Sequence, residues 1–329
     1  MAYGFAIARS PVRPSERPMQ RVVVITGPTA SGKSAVAAAV ARRTGGEIVC
    51  ADAYQLYAGL PILTAQPSPE EQAAAPHHLY GSVPLDGEMD AAAYARMAEA
   101  CIADIQSRGR LPILCGGGGL YIKAVTHGLA PLPPGDEALR TRLAAEPPEA
   151  LIAQLLALDP AAAQTVDLRN PRYVERALEI CLLTGRPASE LRSNFAAGPR
   201  AEFVAHAFLP GRETLYARVN TRTLAMFAQG VLDEVRALEG RPLSATAAKT
   251  LGLGEIQSLL TGALSLPEAV KAIQQATRRY AKRQGSWFRR ETWMQLHGPE
   301  WPGVEALAEE IIGALQVTGH SLLPPRTGS

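Results

Sequence analysis

Eight consecutive residues, Gly27-Pro28-Thr29-Ala30-Ser31-Gly32-Lys33-Ser34, have the G-x-x-x-x-G-K-S spacing of a loop that cradles phosphate. Its glycines let successive backbone N–H groups curl around an anion, and the helix predicted to follow adds the positive end of its dipole. Lys33 supplies a point charge, and the Ser34 hydroxyl can hold Mg²⁺. The motif asks for a phosphate or diphosphate without saying whose. An ordinary nucleotide hydrolase would add an apolar strand ending in Asp or Glu, whereas Leu111-Pro112-Ile113-Leu114-Cys115 runs into Gly116-Gly117-Gly118-Gly119. An acid closes a different run: Asp52 follows Ile48-Val49-Cys50-Ala51. At the carboxyl end of a strand in an open α/β sheet it would stand beside the phosphate loop. As a helix or turn cap it would serve only the backbone, and spacing leaves both readings open.

A second chemistry is written in Arg278-Arg279-Tyr280-Ala281-Lys282-Arg283-Gln284-Gly285-Ser286-Trp287-Phe288-Arg289-Arg290, which holds six cations and no acid before Glu291. On a helix Arg279 and Arg283, like Arg278 and Lys282, are four apart and project from neighbouring positions. Cations interleaved with aromatics fit phosphate-backbone contact and base stacking, and we read this stretch as a nucleic-acid face in preference to a merely solvated one. Arg218 and Arg222 share a helix face, as do Arg172 and Arg176. Each pair would grip phosphate or form salt bridges.

The elements that must position these groups follow from periodicity. The apolar run over residues 22–25 reads as a buried parallel strand, with further strands expected over 47–51, 111–115 and 203–209. Helices are expected over 33–43, 91–106, 213–230, 231–239 and 267–284. Strand and helix alternate, so the fold class is α/β with a parallel sheet flanked by helices. Residues 131–198 change character: a Pro-Leu-Pro-Pro-Gly opening leads into helices without strands, one of them starting at Asn170-Pro171. This predicts a helical insertion between core segments 21–130 and 199–315, with disordered tails over 1–20 and 316–329. Hydrophobic residues form 47% and charged residues 19% of the 329, which excludes a disordered, collagenous or disulfide-stapled chain. Lys plus Arg number 33 against 31 Asp plus Glu, a net charge of +2, so an anionic partner must be met by a local patch. Cys50, Cys101, Cys115 and Cys181 show no metal or redox spacing and fit free thiols in a reducing cytoplasm. No run approaches the roughly 18 apolar residues a membrane span needs.

Together these motifs resemble bacterial tRNA dimethylallyltransferases, from Val22 to about Trp293. The resemblance is carried by residues 27–34; by Asp52-Ala53-Tyr54-Gln55-Leu56-Tyr57 with Thr64-Ala65-Gln66-Pro67; by Pro76-His77-His78-Leu79; and by Gly116-Gly117-Gly118-Gly119-Leu120-Tyr121. Arg172-Tyr173-Val174-Glu175-Arg176, Gly230-Val231-Leu232-Asp233-Glu234-Val235 and Thr277 to Gln284 complete it. It implies a P-loop NTPase-like fold whose loop holds the diphosphate of dimethylallyl diphosphate, with Mg²⁺ at Ser34. Asp52 would be the general base, Lys33 and Arg222 would act at the diphosphate, and the prenyl group would go to N6 of the adenosine 3′ to the anticodon, in tRNAs reading codons that begin with U. The family assignment places Asp52, Ala53, Tyr54, Gln55, Gly118, Arg140 and residues 172–176 against the tRNA. The basic face adds Arg278, Arg279, Lys282 and Arg283, and the insertion would embrace the anticodon arm of a cytoplasmic, monomeric enzyme.

The chain departs from the family's usual residues at Ala53 (commonly Ser), Gln66 (Lys), Gly118 (Thr) and Leu253 (Tyr). Gly118 lacks a hydroxyl near the reacting amine, and Gln66 lacks a charge. None of these changes touches Asp52, Lys33 or Ser34. Two other readings compete: a P-loop small-molecule kinase using the same loop on ATP, and an RNA-binding homologue with weakened catalysis that keeps salt-dependent binding.

Overall fold

Residues 22–26 are β-branched or apolar and have no exposed face, which suits the middle of a parallel sheet covered on both sides. In this computed structural model, which describes residues 21–130, 132–191, 198–200 and 202–317, they form β1 (Val22–Thr26) of a six-stranded sheet. The other strands are β2 (Glu47–Cys50), β3 (His77–His78), β4 (Pro112–Gly116), β5 (Phe203–Phe208) and β6 (Gln295–His297). Their order is β3-β2-β4-β1-β5-β6, and every pairing is parallel.

Side chains alternate across β1. Val23 and Ile25 enter one core with Val36, Val40, Ile311 and Leu315, from the helices Lys33–Thr44 and Val304–Val317. Val22 and Val24 enter the other, with Tyr94 and Ile102 of Ala91–Ser107, Ile122 of Gly119–His127, and Ile273 and Phe288 of Leu266–Phe288. A third cluster is separate: Leu143, Leu151, Leu155, Val174, Leu178 and Ile180 pack the helices of the inserted segment. Among these, Pro171–Thr184 begins at Asn170-Pro171, as its cap signature requires, and ends at Gly185 in the left-handed region.

Two short edge strands and the helix Gly119–His127 go beyond the elements expected from periodicity, as do Leu253–Leu260 and Val304–Val317. β3 is a His-His pair and β6 reads Gln-Leu-His, so neither has the apolar run that marked the inner strands. The helix Val304–Val317 also corrects the expected start of the carboxyl-terminal tail, since helix continues through residues 316 and 317. The tail expected over residues 1–20 lies outside the described residues, as does the remainder of the carboxyl-terminal one. Among the described residues no helix is long and apolar enough to cross a membrane.

The sheet's carboxyl edge gathers three loops. Thr26 is level with Gly116 of β4 and Ala207 of β5, so the segments after β1, β2 and β4 emerge side by side. From β1 the chain moves one way to β2, and from β4 it returns past β1 to β5, a reversal of the kind at which open α/β sheets collect ligands. Thr26 Oγ1 donates to Gly116 O at 2.8 Å, and Gly118 N donates to Ala51 O at 2.9 Å.

Candidate active site

The loop after β1 is held open by its glycines, Gly27 at φ 148° and Gly32 at φ 93°, values that other side chains avoid. A Cβ on Gly32 would lie 2.7 Å from the Trp301 ring. Gly32 also caps the helix Lys33–Thr44 without any side-chain hydrogen bond, which leaves the helix N-terminus free to face an anion. Lys33 is buried and donates to Pro28 O at 3.3 Å. Burial lowers its pKa, and Asp52 opposes that shift. The Ser31 hydroxyl is buried and has no hydrogen-bond partner among the described residues, an unspent polar group inside an anion-shaped loop.

Asp52 closes a turn and also stands in one cleft with a residue of the phosphate loop. Its Oδ1 accepts from Tyr54 N at 3.1 Å, which closes a turn. The residue also lines a solvent-open cleft with Thr29, Tyr54, Arg222, Thr277 and Tyr280. Arg222 reaches the phosphate loop, donating from Nη2 to Thr29 Oγ1 at 2.8 Å. Burial lowers its pKa as well, again opposed by Asp52. The rings of Tyr54 and Tyr280 approach to 6.1 Å across the cleft, and desolvation raises both phenol pKa values, so both remain protonated. The cleft thus combines one carboxylate, the desolvated Arg222 and aromatic walls beside the phosphate loop, whose buried Lys33 is close enough to feel the Asp52 charge.

Residues 55–291 match the sequence pattern of a family described as IPP transferase. The chain belongs to the IPP transferase family. It is 47% identical over 298 residues to the tRNA dimethylallyltransferase of Anaeromyxobacter sp. (strain K), covering 89% of this chain and 97% of that one. A second relative of the same description, from Akkermansia muciniphila, is 42% identical over 90% of this chain and 99% of its own. Among solved structures, the tRNA isopentenylpyrophosphate transferase of Bacillus halodurans superposes with a TM-score of 0.66 at 32% identity, covering 91% of this chain and 98% of that one. A eukaryotic dimethylallyltransferase acting on tRNA superposes with a TM-score of 0.75 over 93% of this chain and 82% of its own; at 22% identity that likeness speaks for the fold alone.

Within this IPP transferase, three of the positions read as departures, Gly118, Gln66 and Leu253, sit in defined surroundings. A Cβ on Gly118 would come within 2.8 Å of the Ala51 carbonyl that its own N–H bonds, so the glycine fits a close backbone approach beside Asp52. Gln66 spends its amide on backbone, donating to Gln55 O at 3.1 Å and Tyr57 O at 2.8 Å. The Gln55 amide donates in turn to Thr64 O at 3.0 Å and to Ala65 O. Leu253 is buried in the core. Gln55 and Gln66 therefore knit the loop after Asp52.

Two residues that contact the phosphate loop, Arg218 and Gln284, are not legible as motifs. Arg218 donates to Ser31 O at 3.1 Å and lies 4.9 Å over the Trp301 ring. Of the outcomes expected for the Arg218 and Arg222 pair, Arg218 forms no salt bridge among the described residues. Gln284 accepts from Thr29 N at 2.9 Å and donates to Gly117 O at 2.8 Å. The four-residue spacing of Thr277, Ala281 and Gly285 on the buried face of Leu266–Phe288 was the available signal that neighbouring Gln284 points inward.

The basic residues divide by environment. Arg279, Lys282 and Arg283 are exposed and pair with no carboxylate among the described residues, with Arg283 lying 5.6 Å over Tyr280. Arg278 instead donates to Asn220 Oδ1 at 2.7 Å. In the inserted segment Arg140 Nε donates to Glu179 at 2.9 Å, and Arg176 grips the same carboxylate and Pro133 O. Tyr173 is exposed, and Arg172 is close enough to Tyr54 to act on its ionisation. Val174 is 2% exposed inside the insertion core, so its side chain serves packing and not the surface contact expected of it. Among the described residues no three His, Cys, Asp or Glu side chains converge on a metal site. A divalent ion would find a ligand in the Ser34 hydroxyl, in the first turn of the helix after the loop.

Proposed function

We propose that this IPP transferase moves the dimethylallyl group of dimethylallyl diphosphate to N6 of the adenosine 3′ to the anticodon, in tRNAs that read codons beginning with U. Diphosphate is released, and the enzyme works as a cytoplasmic monomer whose insertion embraces the anticodon arm. The observation that carries the reading is the convergence of Asp52, Arg222 and the phosphate-loop residue Thr29 on one cleft. The N6 lone pair attacks the allylic carbon as that carbon's bond to the diphosphate oxygen breaks, and the N6 proton passes to the Asp52 carboxylate. Charge gathers on the leaving diphosphate, where Lys33, Arg222, the Ser31 hydroxyl and the free N–H groups of the loop receive it. Mg²⁺ at Ser34 would neutralise further charge on the leaving oxygens. The adenosine must leave the base stack to reach Asp52, with Tyr54 and Tyr280 as surfaces for it to lie against.

Mass analysis of nucleosides from unmodified tRNA, after incubation with the protein, Mg²⁺ and dimethylallyl diphosphate, tests this reading. The expected product is adenosine carrying one isopentenyl group. Bound but unaltered tRNA would favour an RNA-binding protein without turnover. Phosphoryl transfer from ATP, with the allylic diphosphate ignored, would favour a kinase.

A further inference from the structure

One buried amide joins the two halves of the cleft. Gln284 is 6% exposed on the buried face of Leu266–Phe288. Its Oε1 accepts from Thr29 N at 2.9 Å, in the phosphate loop, and its Nε2 donates to Gly117 O at 2.8 Å, in the glycine run after β4. A backbone N–H can only meet the amide oxygen and a carbonyl only the NH₂, so the two partners fix the orientation of the amide. Gly118, the next residue, donates to Ala51 O at 2.9 Å, and Ala51 precedes Asp52. On the other side, Thr29 carries the hydroxyl that Arg222 holds. A continuous set of hydrogen bonds therefore runs from the diphosphate cradle through Gln284 to the backbone beside the carboxylate.

We propose that Gln284 is a positioning residue that sets the separation between the phosphate loop and Asp52, and with it the approach of the amine to the allylic carbon. The inference rests on the transfer reaction proposed above. An amide is the group that suits both partners at once: glutamate keeps the acceptor for Thr29 N and loses the donor for Gly117 O, and leucine loses both. The same contact accounts for the glycine at 117. Its backbone lies outside the left-handed region, yet a Cβ there would overlap the Gln284 amide nitrogen. Gly117→Ala should therefore displace the amide and reproduce Gln284→Leu from the opposite side of the contact.

The test compares wild type with Gln284→Leu, Gln284→Ala, Gln284→Glu, Gly117→Ala and the double variant Gly117→Ala/Gln284→Ala. It reads kcat, KM for tRNA, and calorimetric binding of inorganic diphosphate. Gln284→Leu and Gly117→Ala are each expected to lower kcat by about 10- to 100-fold with KM for tRNA within about twofold, as misplaced reacting groups do. Gln284→Glu is expected between leucine and wild type in kcat. The double variant should be no slower than the worse single, because both changes break one contact. Diphosphate binding should weaken at least about fivefold in Gln284→Leu, because Thr29 N loses its anchor. Losses that multiply in the double variant, or kcat retained within about twofold in Gln284→Leu, would overturn the proposal. So would unchanged diphosphate binding in Gln284→Leu, whatever wild type transfers. Wild type that transfers no prenyl group yet binds diphosphate in a Gln284-dependent way would remove the reaction and leave the positioning role standing.

Discussion

Lys33 is buried and Arg222 half-buried, and the charge of each is disfavoured by desolvation and relieved by Asp52. In the proposed transfer an arriving diphosphate would give both the counter-charge that desolvation withholds, and more so as the leaving group's charge develops. Arg222→Gln is therefore expected to lower kcat by about 100-fold while tRNA affinity changes by less than about twofold, read by steady-state kinetics and filter binding. The loop glycines, Lys33 and Asp52 were legible in the sequence because each sits within a few residues of the strand end that presents it. The roles of Gln284 and Arg218 were not legible. Their contacts join residues 255 and 187 positions apart, and nothing local in either residue's neighbourhood names its partner.

Among the elements, the helix Leu266–Phe288 has two occupations. Its buried face carries Ile273, Thr277, Gln284 and Phe288 into the core and cleft, and its outer face carries Arg279, Lys282 and Arg283 into solvent. Replacing these three cations with Gln should weaken tRNA binding and flatten the plot of log affinity against log salt by about 2, measured from 50 to 200 mM salt. The melting temperature should not move, since none of the three holds a carboxylate in the fold. The inserted segment depends on a different charge. Glu179, 1% exposed at its side chain, is shared by Arg140 and Arg176. Glu179→Gln should destabilise the chain by about 1–2 kcal/mol, a value reduced because both arginines reach solvent, with the loss read by thermal melting. Burial alone would raise the carboxyl's pKa, but Arg176, the Asp136 N–H and Arg140 outweigh it and lower it, so their contribution is present at neutral pH and fades as acid protonates Glu179 below its ordinary value. Strands 22–26, 47–50, 112–116 and 203–208 could be read from apolar runs alone. The edges at His77–His78 and Gln295–His297 exist because a neighbouring strand offers free backbone, a cause that no window of sequence contains.

Across the whole molecule, a sheet whose central strand opens into the phosphate loop brings segments from residues 29, 52, 117, 222 and 284 to one place. The parallel α/β class followed from alternating elements, whereas the two outer strands and the carboxyl-terminal helix on the first core face needed the tertiary structure. The sheet also carries a titratable pair, the buried His206 against the half-buried His297. His206 Nδ1 lies 3.1 Å from His297 Nε2, and burial and the neighbouring ring lower the His206 pKa from 6.5 to about 4. Below pH 6.5 the unfolded chain takes up this proton while the folded chain refuses it, so stability is full above that pH and falls as pH drops toward 4. The loss should approach about 3 kcal/mol, and His206→Gln should flatten the dependence of melting temperature on pH across that window. The central claim is that Asp52 takes the amine's proton at the mouth of the phosphate loop. Single-turnover transfer from dimethylallyl diphosphate to unmodified tRNA, comparing wild type with Asp52→Asn at saturating tRNA, tests it most directly. The account predicts a rate lower by about 10²- to 10⁴-fold with tRNA still bound, and an Asp52→Asn enzyme that transfers at the wild-type rate would contradict it.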